Sequence, residues 1–458
     1  MTGKCQLRFA RFDYDRLYAH LFPGDHDEHG TVLLAGIAEK DCKTNLLVRE
    51  IHLAQEGSDY VEGTTGYRAL HPSFIHRMIT RARDEKLAYL AVHNHHSDLC
   101  VGFSQIDLDS HELGYPALLQ IARGMPVGAL VFGKRSIQAD VWLKDGSRLS
   151  LDEATVVGQS IQTLYPSSSI REDVNEETYE RQLRMFGARG QTCLAKCHVA
   201  ILGLGGIGSL VAEMLARLGV GRFTLIDDDV VEISNLSRIV GAGRVDAEEA
   251  TRKIDVAERV ILQANPSAEV VKIADDIAKN SVARTLAATD YLFLAADSMR
   301  ARLVFNAVVH QYLVPGVQLG SKVRADPEGQ LLDVMSANRP VRPGSGCLWC
   351  NGLIDVQSLA KEAKTDDERK EQAYGVEEPN PSVITLNAIS ASHAVNDFLL
   401  DFLGLRHNVG GVQYEHFHHL SRKRMLTEPR RDENCTECSS SQGRFARGSG
   451  IELPTIEG

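Results

Sequence analysis

The sequence lacks any long apolar run, and this absence excludes several classes of protein. No stretch approaches the roughly 20 apolar residues that a membrane-spanning helix needs, and the first residues, Met1 to Cys5, carry no signal-peptide core. Positive charge is also scarce, because 50 lysines and arginines stand against 61 aspartates and glutamates, for a formal net charge of −11. Such a balance disfavours non-specific nucleic-acid binding. We therefore expect a cytoplasmic protein that has neither a membrane nor a nucleic acid as partner.

The chain holds nine cysteines, and four of them form two Cys-x-x-Cys pairs. In a chain without a secretion signal, such pairs are typical of metal ligands rather than of disulfides. Two intervening residues let both thiolates of a pair face one ion, and four thiolates complete a tetrahedral shell around Zn²⁺. The predicted ligands are Cys347, Cys350, Cys435 and Cys438. Since a closed shell leaves no position for water, the predicted zinc ion is structural.

A glycine-rich turn lies between two apolar runs in the second half of the chain. Residues 199–202 predict a strand, residues 210–218 a helix after the turn, and residues 223–226 a second strand that ends at Asp227. The glycines of the turn are Gly203, Gly205, Gly206 and Gly208. Without side chains, they allow backbone N–H groups at the helix start to approach a phosphate, and the acid can hold a ribose hydroxyl. Dehydrogenases, methyltransferases and adenylating enzymes all use such a unit, so it predicts a nucleotide site but not its chemistry.

Further polar residues surround this unit in a fixed order. They are Arg181, in a Tyr-x-Arg-Gln sequence, then Asp229, Asn235, Arg238, Lys253 and Asp297. Together with the glycines and the cysteine pairs, this order resembles the adenylation domain of the ThiF family. That family includes activating enzymes of ubiquitin-like proteins and bacterial enzymes that adenylate sulfur-carrier proteins. Two residues depart from the family pattern, because Ser298 stands where asparagine is usual and Ile239 where glutamine is usual.

The resemblance implies a reaction and a role for each residue. Family members join a C-terminal glycine carboxylate to the α-phosphate of ATP and release pyrophosphate, a reaction that depends on positioning and charge neutralisation. By resemblance, Arg238 and Lys253 neutralise the phosphates, Asp297 holds Mg²⁺ and Asp227 takes the ribose. The implied ATP site comprises the four glycines with Asp227, Asp229, Asn235, Arg238, Lys253 and Asp297. Arg181 is expected to reach the site of a neighbouring subunit, which implies a homodimer.

No cysteine lies between Cys350 and Cys435. Activating enzymes that pass a ubiquitin-like protein onward as a thioester place a nucleophilic cysteine after the first zinc pair. By this comparison, we expect the chain to form the acyl-adenylate only, with a ubiquitin-like or sulfur-carrier protein as substrate. The nucleophile of a partner, such as a conjugating-enzyme-like protein, would then take the acyl group directly.

The N-terminal part carries a second group of polar residues. Glu28 precedes one predicted strand, His93 and His95 follow another, and a Ser-x-x-Asp sequence ends at Asp107. This order resembles the JAMM (MPN, Mov34) metalloproteases, which cleave ubiquitin-like proteins from lysines. The resemblance implies Zn²⁺ on His93, His95 and Asp107 with an open position for water, and Glu28 as base. Because His96 replaces the usual proline, the alternative is a silent scaffold that docks a conjugating enzyme.

These assignments predict an α/β fold in four parts. Residues 1–160 form a smaller JAMM/MPN-like α/β domain and 161–176 a linker; 177–440 form a Rossmann-like ThiF-type adenylation domain with a mostly parallel sheet and the zinc site, and 441–458 a tail. Such fusions resemble components of bacterial ubiquitin-like conjugation systems, including antiphage ones. Two other interpretations stay open. An NAD-dependent oxidoreductase would explain Asp227 but not the remaining groups, and a binding protein would leave both domains catalytically silent.

Overall fold

The computed structural model describes residues 3–40, 43–61, 68–167, 176–363, 381–406 and 411–456. The chain forms two compact units, and each is assembled from separate segments. The first unit comprises Met1–Arg171, Gln311–Leu313 and Ser439–Glu452, and the second comprises Glu172–His310, Val314–Cys438 and Leu453–Gly458. Within the described ranges, no helix has both the length and the apolar composition needed to cross a bilayer.

The first unit is built on one eight-stranded sheet. Its strands are β1 (Gly3–Ala10), β2 (Gly30–Lys40), β3 (Lys43–Leu53), β4 (Ala88–Asn94), β5 (Val127–Phe132), β6 (Ile137–Trp142), β7 (Arg148–Val157) and β8 (Ile161–Leu164). Its helices are α1 (Arg11–Leu21), α2 (Pro72–Asp84) and α3 (Gln105–Ile121). The strand order is β1-β3-β2-β4-β5-β6-β7-β8, and β1 also pairs with β7. Through this additional pairing, the strands from β1 to β7 close into a ring.

Strand β4 shows how the sequence builds the two sides of this sheet. Successive side chains of a strand point to opposite faces. Leu90 and Val92 accordingly join an apolar cluster that includes residues of α1, whereas Tyr89 joins a second cluster with Phe74 and Met78 of α2. Since both faces are covered, β4 is apolar along most of its length, and polar residues appear only at its carboxyl end.

The second unit contains another eight-stranded sheet. Its strands are β9 (His198–Leu202), β10 (Arg222–Ile226), β11 (Glu269–Ile273), β12 (Tyr291–Leu294), β13 (Gly316–Ala325), β14 (Leu331–Val341), β15 (Tyr414–His418) and β16 (Lys423–Thr427). Its helices are α4 (Glu176–Lys196), α5 (Gly206–Leu218), α6 (Arg244–Glu248), α7 (Lys253–Ala264), α8 (Asn280–Ala283), α9 (Met299–Gln311), α10 (Val356–Glu362) and α11 (Ile384–Phe402). Two 3₁₀ turns, Ile233–Asn235 and Arg284–Ala288, complete the described elements of the unit.

This second sheet is mixed, because an antiparallel part adjoins the predicted parallel part. The strand order is β11-β10-β9-β12-β13-β14-β15-β16, with parallel pairing from β11 to β13 and antiparallel pairing from β13 to β16. A parallel connection needs a crossover of a dozen or more residues. Only residues 326–330 separate β13 from β14, so these two strands pair as a hairpin.

Two segments differ from the expected domain plan. Residues 161–164, predicted as the start of the linker, form β8, which pairs with β7 and buries Ile161 and Leu164; residues 168–175 lie outside the described part of the chain. The segment predicted as a tail belongs in part to the first unit, where Phe445 is completely buried. The backbone N of Ser449 donates to the carbonyl of Ile37 at 2.7 Å. Residues near the C-terminal end therefore belong to the first unit, in which the ring of Phe445 lies 6.0 Å from that of Phe12.

Candidate functional site

The glycine turn connects β9 to α5 at the point where the order of the second sheet reverses. β10 lies on one side of β9 and β12 on the other, and such a crevice beyond the carboxyl ends of parallel strands is the usual ligand position. Gly203 has a φ of 91°, and a Cβ there would lie 2.7 Å from the backbone N of Ala296. A Cβ on Gly208 would lie 1.9 Å from the carbonyl oxygen of Gly203. Among the four glycines of the turn, Gly205 alone has no described atom within 4 Å of its Cβ position. The turn is therefore open where a phosphate would approach its N–H groups.

Asp227 follows β10 and is bound to the glycine turn. Its Oδ2 accepts a hydrogen bond from the backbone N of Leu204 at 2.6 Å, and its Oδ1 accepts one from the backbone N of Asp229 at 3.0 Å. Burial raises the pKa of Asp227, although nearby Lys253 opposes this shift. The Nζ of Lys253 forms an ion pair with Asp229 Oδ2. The structure thus groups Asp227, Asp229 and Lys253 at the end of β10.

Arg238 lies beside the start of α5. A Cβ on Gly206 would lie 3.3 Å from the Cδ of Arg238, so the arginine stem passes along the turn. The Nη1 of Arg238 donates to the carbonyl of Ser234 at 2.8 Å. Asn235 is buried, and its Nδ2 donates to the Oγ of Ser234 at 3.2 Å. Arg238 thus brings positive charge to the helix start, whereas Asn235 braces the loop that carries it.

Asn387 of α11 is a residue that sequence reasoning missed. It is 1% exposed, and a Cβ on Gly206 would lie 2.3 Å from its Nδ2. Its Oδ1 accepts a hydrogen bond from the Oγ of Ser321 at 3.2 Å. The only signal in the sequence is a polar residue on the apolar face of a helix. The buried amide of Asn387 therefore packs against the glycine turn at Gly206.

Asp297 and Arg181 are exposed and lie further from the turn along the chain. Asp297 follows β12, on the opposite side of β9 from Asp227, and Arg181 lies on α4. The run Asp227, Asp228 and Asp229 places carboxylate oxygens within 4.8 Å of one another. Because Mg²⁺ prefers oxygen ligands, both Asp297 and this run offer suitable groups at the crevice.

The two Cys-x-x-Cys pairs come together in the second unit. The Sγ of Cys347 lies 3.5 Å from that of Cys350 and 3.7 Å from that of Cys435, and Cys350 lies 3.6 Å from Cys438. The backbone N of Cys350 donates to the Sγ of Cys347 at 3.3 Å, and that of Glu437 to the Sγ of Cys435 at 3.4 Å. N–H bonds to sulfur favour the thiolate form, and a hydrogen bond with Cys438 lowers the pKa of Cys347. Four converging sulfurs fit a tetrahedral Zn²⁺ site.

Asn351 links the two halves of this sulfur site. Its Nδ2 donates to the carbonyls of Cys347 at 2.8 Å and of Arg430 at 3.0 Å. The backbone N of Arg430 donates back to the Oδ1 of Asn351 at 2.8 Å. No sequence pattern indicates this role, because Asn351 and Arg430 are 79 positions apart. Asn351 therefore fixes one cysteine pair relative to the other independently of any ion.

The first unit brings together the histidines and acids predicted at its own site. The Nε2 of His93 lies 3.6 Å and that of His95 3.7 Å from Asp107 Oδ2, and His95 Nε2 lies 3.7 Å from Glu28 Oε1. β4 ends at Asn94, so His93 is the last residue but one of the strand and His95 follows directly after it. The Nε2 of His93 is buried without a hydrogen-bond partner among the described residues. Two imidazoles and a carboxylate that converge in this way fit a zinc or similar metal ion.

Asp107 is oriented by the start of α3. Its Oδ2 accepts hydrogen bonds from the backbone N and the Oγ of Ser104, both at 2.7 Å, and its own backbone N donates to Ser104 Oγ at 3.2 Å. This capping box fixes the carboxylate on the first helical turn. Burial would raise the pKa of Asp107, but His93 and Ser104 outweigh burial and lower it. The carboxylate is therefore ionised and ready to bind a cation.

In the second unit, a glycine turn at a topological switch point, with acids on both neighbouring strands, defines a nucleotide-binding α/β protein. Comparison with known families then gives the particular family. Residues 179–437, more than half of the chain, match the ThiF family, and the chain belongs to it. The N-terminal resemblance to JAMM metalloproteases is not covered by this match and stays a prediction.

Individual relatives carry different names. The chain is 32% identical over 154 residues to the tRNA threonylcarbamoyladenosine dehydratase of Escherichia coli, which covers 33% of this chain and 57% of that protein. It is 33% identical over 134 residues to the SAMP-activating enzyme E1 of Haloferax volcanii, covering 29% of this chain and 49% of that protein. It is 33% identical over 155 residues to the molybdopterin-synthase adenylyltransferase of E. coli, covering 33% of this chain and 60% of that protein. The chain thus spans about half the length of these curated relatives.

Proposed function

We propose that the second unit adenylates the C-terminal glycine carboxylate of a ubiquitin-like or sulfur-carrier protein at the expense of ATP. A carboxylate oxygen attacks the α-phosphorus, an acyl-phosphate bond forms, and the bond to the leaving pyrophosphate breaks. A nucleophile of a partner, such as a conjugating-enzyme-like protein, then takes the acyl group and releases AMP, because the chain has no cysteine between Cys350 and Cys435. Two copies of the chain form the working unit, with Arg181 of one copy at the site of the other.

The observation that carries this proposal is the grouping of charges around the glycine turn. Adenylation brings an anionic carboxylate to an anionic nucleotide, so the site has to supply positive charge and a metal ion. Arg238 lies along the turn, Lys253 lies beside Asp227, and Asp297 stands across β9. The names of two of the three relatives, an activating enzyme and an adenylyltransferase, support the same reaction. The dehydratase name of the third keeps the substrate open to experiment.

Exchange of labelled pyrophosphate into ATP tests the proposal. Purified protein is incubated with MgATP and, one at a time, small carrier proteins that end in Gly-Gly. We expect one carrier to support exchange, Asp297→Ala to abolish it, and Asp326→Ala, on the exposed β13–β14 turn, to leave it unchanged. Exchange that persists in Asp297→Ala would contradict the site assignment, and a wild-type protein that binds no MgATP would contradict the function.

A second candidate function belongs to the first unit. We infer that Glu28, His93, His95 and Asp107 form a zinc hydrolase site that cleaves isopeptide bonds of ubiquitin-like proteins. The convergence of three metal-ligating side chains supports this inference. His93, His95 and Asp107 would hold the Zn²⁺, which would supply an activated water and polarise the scissile carbonyl, and Glu28, 3.7 Å from His95, is placed to move a proton.

Zinc content distinguishes the hydrolase from a silent scaffold. We expect close to two zinc ions per wild-type chain, one fewer in His93→Ala, and an unchanged number in His76→Ala, which replaces a histidine of α2 outside both clusters. One zinc ion in both the wild type and His93→Ala would reject the hydrolase site and favour the scaffold that docks a conjugating enzyme.

A further inference from the structure

The sheet of the first unit fixes the two histidines of the candidate metal site through their backbones. His93 of β4 pairs with Gly30 of the antiparallel strand β2. The backbone N of His95, just beyond β4, donates to the carbonyl of Phe132 in β5 at 2.8 Å. Hydrogen bonds to neighbouring strands therefore set the positions from which the two imidazoles extend.

Glu28, the predicted base, lies outside this pattern of strand pairing. β2 begins at Gly30, two residues after Glu28. The Oε1 of Glu28 lies 3.7 Å from the Nε2 of His95. A general base has to stay within reach of the water that it deprotonates, and a displacement of about 1 Å can cost about 100-fold in rate. A carboxylate in this role therefore needs a support that the strands do not supply.

Asn94 supplies such a support from its position between the two histidines. Its side chain is completely buried, and its Oδ1 accepts a hydrogen bond from the backbone N of His29 at 2.6 Å. That N–H belongs to the peptide unit that joins Glu28 to His29. Because a peptide unit is planar and rigid, the hydrogen bond also restrains the Cα of Glu28.

The next residue of the same segment is held by two further side chains. The hydroxyl of Tyr60 accepts a hydrogen bond from the backbone N of Gly30 at 2.9 Å and lies 3.1 Å from its carbonyl oxygen, to which it donates. The Nε2 of His20 lies 2.9 Å from that carbonyl oxygen. The chain after Glu28 is thus fixed at two successive residues, and Asn94 contacts the one that is nearer to the base.

The packing of β4 does not account for an asparagine at this position. Leu90 and Val92, which point to the same face of the strand as Asn94, join an apolar cluster. The Nδ2 of Asn94 is buried and has no hydrogen-bond partner in the described part of the chain. A buried donor without a partner costs stability, which an apolar side chain would avoid. What the amide provides is the acceptor for the N–H of His29.

We propose that Asn94 is a positioning residue that holds the base Glu28 in place relative to the metal ligands His93 and His95. This proposal rests on the hydrolase function inferred for the first unit and deepens it. The backbone of Asn94 lies between the two ligands in sequence, while its side chain fixes the segment that carries the base. Loss of the amide would displace Glu28 and slow proton transfer, whereas the metal ligands and substrate binding would be little affected.

The test follows cleavage of an isopeptide bond by the zinc-loaded full chain. Small carrier proteins that end in Gly-Gly are joined, one at a time, to the ε-amine of a fluorescein-labelled lysine, and release of the dye is followed by fluorescence polarisation. We expect Asn94→Leu to lower kcat by about 10–100-fold, while KM and the zinc content stay close to wild type. Asn94→Asp, which keeps an acceptor oxygen, should recover part of the loss.

The same sheet offers a matched control. Asn45 of β3 is another buried asparagine, and it pairs with Ala38, eight residues along β2 from Gly30. Asn45→Leu therefore makes the same change of side chain away from the candidate metal site, and its kcat should stay close to wild type. If Asn94→Leu does not fold, Asn94→Ser replaces it, because the shorter side chain places no acceptor at the position of Oδ1.

A second measurement does not depend on activity. Hydrogen exchange of the His29 amide is followed by NMR on the full chain with isotope-labelled histidine. We expect exchange to be at least about 10-fold faster in Asn94→Leu than in the wild type, and to be unchanged in Asn45→Leu. Equal exchange rates in Asn94→Leu and the wild type would show that the amide does not hold this segment, and would overturn the proposal.

The remaining outcomes separate the positioning role from the hydrolase function. If Glu28→Gln abolishes cleavage but Asn94→Leu keeps the kcat of the wild type or of Asn45→Leu, the hydrolase function stands and the positioning role is wrong. A zinc ion lost in Asn94→Leu would also overturn that role, because the asparagine would then act on the ligands rather than on the base. A wild type that holds two zinc ions and cleaves no carrier would refute the hydrolase function, and the positioning role with it.

Discussion

Replacing Gly205 by alanine separates the ligand-binding role of the glycine turn from its structural role. Gly205 is the N-cap of α5, with φ of −69° and ψ of −155°, a backbone conformation that alanine adopts without strain. Loss of glycine flexibility in the unfolded chain stabilises the variant by about 0.4–1 kcal/mol, and alanine is a poorer N-cap by about 0.5 kcal/mol. These contributions largely cancel, so stability should stay within about 1 kcal/mol of wild type.

The same substitution should impair nucleotide binding. No described atom lies within 4 Å of the Cβ position, so the methyl group enters the space in which a phosphate would contact the N–H groups. We expect the Kd for MgATP, measured by calorimetry, to rise by at least about 10-fold, or about 1.4 kcal/mol. Gly203→Ala is the informative contrast. Its φ of 91° and the 2.7 Å approach to Ala296 N predict a loss of at least about 1–2 kcal/mol of stability. Wild-type MgATP affinity in Gly205→Ala would refute a phosphate cradle at this turn.

Three further predictions concern the supports of the two units. The first prediction concerns Asp140 of the first unit, whose pKa hydrogen bonds from His111 and Arg148 lower to about 2 against the opposing effect of burial. Because the pKa is lower in the folded state, ionised Asp140 stabilises the fold above about pH 4, and this stabilisation is lost as the pH falls towards 2. Asp140→Asn should therefore lower the unfolding free energy by about 1–2 kcal/mol at pH 7 and flatten the acid limb of a urea-denaturation series; an unchanged limb would contradict it. Asn351→Ala removes the link between the cysteine pairs and should weaken zinc retention against a chelator about 10-fold, whereas equal release rates would show that the sulfurs alone set the geometry. Phe445→Ala empties a completely buried position and should cost about 3–5 kcal/mol in the first unit, detected as faster proteolysis there; wild-type resistance would disprove its anchoring role.

Local patterns predicted much of the second unit. The apolar runs beside Gly203 fold as β9 and β10 because the turn, the helix and the acid are all close in sequence. The four cysteines were predicted as one site because two intervening residues let both thiolates of a pair face one ion. Their sulfurs do lie close together in the structure. The resemblance to the JAMM order of residue types, rather than any local rule, predicts that Glu28, His93, His95 and Asp107 form one site. Their convergence depends on the pairing of distant strands.

What the sequence could not predict are contacts set by non-local pairing. Arg339 lies on an ordinary strand, and only the register between β13 and β14 places it beside Gln318. The antiparallel half of the second sheet was missed because a short hairpin, rather than a pattern of residue types, reverses the chain after Ala325. Residues 161–164 do not predict a strand because four residues are too few to show a period, and Ile161 and Leu164 are buried only once β8 pairs with β7.

The composition of the first unit has a consequence for how the protein is made. Its sheet is encoded by the first third of the chain, yet Phe445, which is completely buried and belongs to the same unit, is translated after all the described strands of the second unit. Domains of a nascent chain usually fold in order from the N-terminus. Here the segment that holds Phe445 can join the first unit only after nearly the whole chain has been synthesised, so the unit whose sheet is made first is completed late.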